Sequence, residues 1–153
     1  MKNYILILTL LSSCAIVVHG IHELIQFANM VQQVTGNIAI LTYINYGCYC
    51  GIVLGGTPRD ATDWCCFRLS CCYARMEQRK CKMANYDFTY KNKNVICSSK
   101  NPCGMQTCEC HKTAAYCFRD SKTSYDIFKL RPLHPKAYRA YLLKCSLTKR
   151  PSC

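Results

Sequence analysis

Cysteine limits what this chain can become more than any other residue. The sequence carries 15 cysteines in 153 residues. The first, Cys14, lies in the opening stretch MKNYILILTLLSSCAIVVHG, where Lys2 precedes an apolar run and Gly20 closes it. That is the anatomy of a secretory leader, residues 1–20, too short and wrongly flanked to span a bilayer. Fourteen cysteines remain in residues 21–153. An even count at this density in an exported chain reads as seven bridges. The spacings C-x-C, CC-x4-CC and C-x4-C-x-C lack the paired C-x2-C knuckles of structural zinc, so zinc is set aside. The expectation is a single small extracellular domain stapled by disulfides.

Periodicity supplies the elements. In ELIQFANMVQQV, residues 23–34, Leu24, Phe27, Ala28 and Val31 recur at helical spacing, and Thr35-Gly36 should stop the helix. Residues 37–58 read as a connection rich in Tyr and Gly. Pro58 and Asp60 open a long helix running to about Met76, and a second long helix is expected from about Gln106 to Arg119. Between them, YDFTYKNKNVIC (residues 86–97) flanks Lys91-Asn92-Lys93-Asn94 with strand formers, which predicts a hairpin. Cys65 and Cys72 are seven apart, as are Cys110 and Cys117, so each pair shares one helix face. Antiparallel packing of the two helices would join Cys65 to Cys117 and Cys72 to Cys110 as rungs of a ladder. Residues near Leu69 and His111 then confront each other between the rungs.

Charge is lopsided. The whole chain carries a formal net charge of +12, and only Lys2 of that lies in the leader. From Ile127 onward there are seven cations, Lys129, Arg131, Lys136, Arg139, Lys144, Lys149 and Arg150, and no acid. Such a block suits polyanions, whether sulfated glycans, anionic lipid surfaces or nucleic acid, against the plain alternative of a solvated tail. Within it, PKAYRAYLLKC (Pro135–Cys145) forms an amphipathic helix on paper. Tyr138, Tyr141, Leu142 and Cys145 fall on one face, and Lys136, Arg139 and Lys144 on the other. Two readings stand side by side: a helix lying in a membrane interface or clamping a polyanion, or aromatics packed on the body with the bases in water.

The run Tyr46-Gly-Cys-Tyr-Cys-Gly, then Thr57-Pro58-x-Asp60, Asp63-x-Cys65-Cys66 and Cys71-Cys72-Tyr73, resembles the secreted phospholipase A2 family. Cys108-Glu-Cys110 and Ala115-x-Cys117-Phe118 resemble that family's second long helix, and all fourteen cysteines follow the order of its group II branch. The resemblance covers residues 23–153. It implies a mainly α, disulfide-rich fold with two antiparallel disulfide-linked helices, an N-terminal amphipathic helix and a small hairpin. It also implies the bridges Cys48–Cys145, Cys50–Cys66, Cys65–Cys117, Cys71–Cys153, Cys72–Cys110, Cys81–Cys103 and Cys97–Cys108. The basic segment from about residue 123 to 153 is longer than the family usually has.

In that family a histidine activates water against a phospholipid ester, and a neighbouring aspartate with loop carbonyls holds calcium. A second aspartate orients the histidine. Carried over residue by residue, the histidine position holds Leu69, the calcium aspartate Ser70 and the orienting aspartate His111. Tyr73 and Tyr86 match the tyrosines that support the dyad. In the loop Tyr49 and Gly51 persist, but Val53 replaces a glycine, and a β-branched residue tolerates positive φ poorly. No cofactor is expected, calcium included. Ser70 and His111 lie on facing helices, yet adjacent helix positions diverge by about 100°, so they read as polar fillers of a relict cavity rather than a new catalytic pair.

By the same resemblance Leu24, Phe27, Ala28 and Val31 would line a substrate channel and touch lipid, against the alternative of ordinary core packing. The functional expectation is a secreted homologue without catalysis that binds anionic membrane, sulfated glycan or a cell-surface receptor, with no specific nucleic-acid partner. The rivals are an active calcium-dependent phospholipase A2 and an extracellular-matrix protein, the second disfavoured by the basic charge.

Overall fold

The computed structural model describes residues 21–153; the expected leader lies outside them. Helix α1 occupies residues 21–35 and ends at Gly36, whose φ of +78° suits glycine and whose N–H closes on the Gln32 carbonyl at 2.8 Å. The Tyr- and Gly-rich connection contains one short helix, α2 (Ala39–Thr42), which periodicity in so short a run does not reveal. Helix α3 spans Ala61–Gln78. Asp60 caps it by accepting the Asp63 N–H at 2.9 Å, so the start lies where Pro58 and Asp60 point.

Helix α4 spans Pro102–Asp120, a turn longer at its start than the expected Gln106. The reason is local. Asn101 accepts the Cys103 N–H at 2.9 Å, and Pro102 sits in the first turn, where its missing N–H costs nothing. Between the long helices, β1 (Asp87–Lys91) pairs antiparallel with β2 (Asn94–Ser98). Asn92 and Lys93 form the two-residue turn, both left-handed at φ +52° and +61°, the geometry that matches strand twist. The hairpin is stitched to α4 by the Cys97–Cys108 bridge and by the Val95 N–H donating to the Tyr116 hydroxyl at 2.8 Å.

Helices α3 and α4 pack antiparallel, and Cys65–Cys117 and Cys72–Cys110 form the two rungs. The other five bridges also join the cysteines that the family resemblance implied. The core lies between α1, the ladder and the connection, with Met30, Val31 and Val34 of α1 buried against Tyr43, Tyr46, Phe67 and Phe118. Leu24 is exposed, so the buried face of α1 is rotated toward Met30 and Val34 relative to the simple reading. Two single 3-10 turns, Lys122–Ser124 and Ile127–Lys129, lead to α5, Pro135–Ser146. Among the described residues the architecture is mainly helical, with one two-stranded sheet and seven disulfides.

Candidate functional site

The site is built on a buried anchor. Asp63, in the first turn of α3, accepts three backbone N–H groups: Cys48 and Tyr49 at 2.8 Å, and Arg59 at 2.8 Å. Burial pushes its carboxyl upward, while those three bonds oppose the rise. The loop that follows α2 is thereby pinned to α3. On the loop's other side Arg131, only 3 % exposed, donates to the Gly47 and Cys50 carbonyls at 2.8 Å each. The Tyr49 hydroxyl closes the loop's far end on the Gly56 carbonyl at 2.6 Å.

A cleft of about 370 Å³ opens between α1, the loop and the ladder. Leu24, Phe27, Ala28 and Val31 all line it, so the four α1 residues singled out in the sequence do come together there. Leu69, Ser70, Tyr73 and His111 form its inner end, while Gly51 and Val53 stand at the loop side. Exposed apolar side chains crowd its mouth: Leu24, Ile40, Ile44, Val53 and Met83 line it, with Leu41 and Ile52 next in the chain. No lysine or arginine lines the cleft, and Glu23 contributes its one carboxylate.

At the inner end His111 is 1 % exposed. The Tyr73 hydroxyl lies 2.6 Å from Nε2 and the Tyr86 hydroxyl 2.6 Å from Nδ1, and the ring stacks on Phe27 at 4.4 Å between centroids. Burial pushes the imidazole pKa down to about 3 and pushes both phenols well up. The trio is therefore neutral throughout the physiological range. With His111 at the orienting-aspartate position, the sequence offers Tyr73 and Tyr86 no aspartate to hold. The structure gives them His111, a connection that only the ladder's register makes visible.

Ser70 does not meet His111 in a hydrogen bond. Its hydroxyl donates instead to the Phe67 carbonyl of its own helix at 2.7 Å. Leu69 offers only apolar surface. The loop carries positive φ at Gly47, Gly51, Gly55 and Gly56, not at Val53, so the β-branched residue sits in a backbone conformation that it tolerates. Calcium takes six to eight oxygens, usually with carboxylates among them. The positions that would supply them here hold one back-bonded hydroxyl and the backbone of Tyr49, Gly51 and Val53, while Asp63 is committed to three amides. Among the described residues no group of three His, Cys, Asp or Glu could hold a metal ion. The residues present do not match what calcium requires.

The basic block divides. Lys136, Arg139 and Lys144 on α5, with Lys149 and Arg150 beyond it, face solvent. Arg131 is corrected: a buried guanidinium clamped on loop carbonyls is not available to a polyanion. Lys129 is half-buried and pairs with Asp60 at 2.9 Å, so it too is largely occupied. The reading of block charge could not separate these two, since burial is a tertiary property. On α5, Tyr138, Tyr141 and Leu142 are half-buried and Cys145 is buried, and the Tyr141 hydroxyl donates to the Lys129 carbonyl at 3.0 Å. That face packs on the body. Apolar groups that reach water nearby include Phe128 (91 % exposed) and Leu133 (93 %), with Ile127, Leu143 and Leu147, none of them anticipated.

The sequence pattern of the family described as phospholipase A2 matches residues 24–128. A membrane-associated phospholipase A2 of Cavia porcellus is 41 % identical over 156 aligned positions, covering all of both chains. An acidic phospholipase A2 of Daboia siamensis is 43 % identical over 119 residues, covering 78 % of this chain and 85 % of its own. A basic phospholipase A2 homolog of Protobothrops mucrosquamatus is 43 % identical over 115 residues, covering 75 % and 82 %. With the helix ladder, the hairpin and the seven bridges, these likenesses establish that the chain belongs to the phospholipase A2 family.

Proposed function

We propose that this chain is a secreted phospholipase A2 homologue that has exchanged hydrolysis for binding to anionic lipid surfaces. The observation that carries this reading is the clamped imidazole. Both ring nitrogens of His111 are occupied by tyrosines, so the one imidazole at the cleft has no free nitrogen to take a proton from water. General-base catalysis needs a group within reach of the nucleophile and near its own pKa, and typically contributes about 10²–10⁴-fold. Leu69 cannot supply it. The absence of a carboxylate at Ser70 argues in the same direction against a metal that would stabilise an oxyanion.

Binding is supported by surface chemistry. The apolar collar around the cleft is of the kind that marks interaction sites, and the exposed cations of α5 and the tail add attraction for anionic headgroups. The same cations suit sulfated glycans, and a cell-surface receptor remains within the same chemistry. No helix among the described residues is long and apolar enough to cross a membrane.

The competing reading is an active calcium-dependent lipase, favoured by the enzyme names of the relatives from Cavia porcellus and Daboia siamensis. One experiment separates the two. The mature protein is incubated with mixed anionic vesicles and calcium, with released fatty acid and vesicle co-sedimentation read together. Binding without release above the protein-free control is the expected result. Release that calcium stimulates and chelator abolishes would overturn the proposal.

A further inference from the structure

The cluster of Tyr73, His111 and Tyr86 holds one hydrogen more than its contacts use. A neutral imidazole has one N–H and one bare nitrogen, and the two phenols bring a hydrogen each. Two contacts consume two of these three hydrogens. Neither phenol oxygen has another hydrogen-bond partner among the described residues. The phenol that accepts from the imidazole therefore keeps a hydroxyl hydrogen with nothing in the chain to receive it.

Burial decides which phenol that is. Tyr86 is 2 % exposed and does not line the cleft, so a spare hydrogen there would be sealed away from water and from any ligand. An unmet buried donor is costly. Tyr73 lines the cleft. The satisfied arrangement has Tyr86 donating to Nδ1, Nε2–H donating to the Tyr73 oxygen, and the Tyr73 hydrogen free in the cleft. The stack on Phe27 holds the ring plane in that orientation.

We infer that Tyr73 is a specificity residue for acyl ligands, donating its hydroxyl hydrogen to a neutral ester carbonyl while the chain lies along Phe27, Leu69 and Val31. This rests on the non-hydrolytic lipid-binding reading above and names how the cleft recognises what it holds. Its volume falls in the usual range for ligand sites, roughly 300–1,000 Å³. The acceptor is a neutral carbonyl rather than a free carboxylate. No cation lines the cleft, Glu23 adds a like charge, and an anion drawn into apolar surroundings with a single neutral donor would be poorly compensated.

The test compares two single-chain lipids that differ by one oxygen: palmitoyl lysophosphatidylcholine and its hexadecyl ether analogue, both below their micellar concentrations. Isothermal titration of each into the mature protein and into Tyr73→Phe gives a four-cornered comparison. The parent is expected to favour the ester by about 2- to 10-fold, the worth of one neutral hydrogen bond. Tyr73→Phe is expected to bind both lipids alike, the ester preference being lost whatever the variant's absolute affinity.

A parent that binds vesicles without hydrolysis yet shows no ester preference overturns the Tyr73 assignment alone. A variant that keeps the preference does the same. Failure to bind vesicles as well as both lipids, or release of palmitate, overturns the assignment together with the reading beneath it. Nitrogen NMR of the parent gives a second measure that needs no variant. Proton on Nε2 with Nδ1 bare is expected at His111, and the opposite tautomer would refute the proton count.

Discussion

Gly47 lies directly over the carboxylate of Asp63: a β-carbon built on Gly47 would stand 2.2 Å from the Asp63 carboxyl carbon. The backbone at Gly47 is also left-handed, at φ +58°. The close approach lets Asp63 receive the amides of Cys48 and Tyr49, and so fixes the loop beside the cleft. Gly47→Ala therefore meets both a clash with a buried group and a strained φ. We expect a loss of at least about 3 kcal/mol, or failure to fold. Gly36→Ala is the control. It shares a positive φ, +78°, but would meet no atom within 4 Å, so only the strain of about 1 kcal/mol should appear. Denaturant unfolding of the two variants checks the difference, and equal losses would show that the contact with Asp63 is unimportant.

The buried imidazole makes stability pH-dependent in a definite direction. His111 is neutral in the fold down to about pH 3, whereas an unfolded histidine takes a proton below about pH 6.5. Below that point the unfolded state binds the extra proton and is favoured. The contribution of His111 is thus fully present above about pH 6.5 and is lost as the pH falls toward 3. The slope approaches about 1.4 kcal/mol per pH unit within that window. His111→Asn removes the titration while retaining a donor and an acceptor. Its stability curve should lack that portion of the slope between pH 6 and 4. Parallel curves would mean that His111 is already charged in the folded protein.

Calcium should leave thermal stability almost unaltered. A ligand present at a hundredfold excess over its dissociation constant adds about 2.7 kcal/mol, a shift of several degrees for a chain of this size. With Ser70 turned to the Phe67 carbonyl and Asp63 committed to amides, we expect a change below about 1 °C at millimolar calcium. A larger shift, specific to calcium over magnesium, would show that the loop carbonyls assemble a site without a carboxylate.

Surface binding should divide between charge and apolar contact. Reversing Lys136, Arg139 and Lys144 to Glu touches only exposed groups, so folding should survive while salt-sensitive binding to heparin and anionic vesicles falls. The effect should fade at high salt, because the screening length drops from about 10 Å at 0.1 M to about 3 Å at 1 M. Phe128→Ser with Leu133→Ser removes two side chains that reach water and should weaken vesicle binding while sparing heparin binding. Tyr141→Ser should instead cost stability, since that ring packs on the body and bonds the Lys129 carbonyl. If the charge-reversed protein co-sediments with vesicles as well as the parent, α5 is not the contact.

Local patterns in the chain determined a large part of this protein. Helical spacing of Cys65 with Cys72 and of Cys110 with Cys117 specified two rungs before any coordinate, because rise per residue alone puts such pairs on one face. Asp60 announced the start of α3, and Lys91 to Asn94 announced the hairpin, since caps and turns are decided by a few adjacent residues. Other features needed the tertiary structure. Arg131 and Lys136 belong to one basic block, yet one is clamped on the Gly47 and Cys50 carbonyls and the other faces water. Burial depends on what the rest of the chain brings alongside. The same holds for His111: its place on α4 was legible, but its two tyrosines come from α3 and from the segment before β1. Side chains 38 and 25 positions away in sequence meet at one ring, and only the packing of those elements decides that the imidazole is buried, neutral and held on both nitrogens.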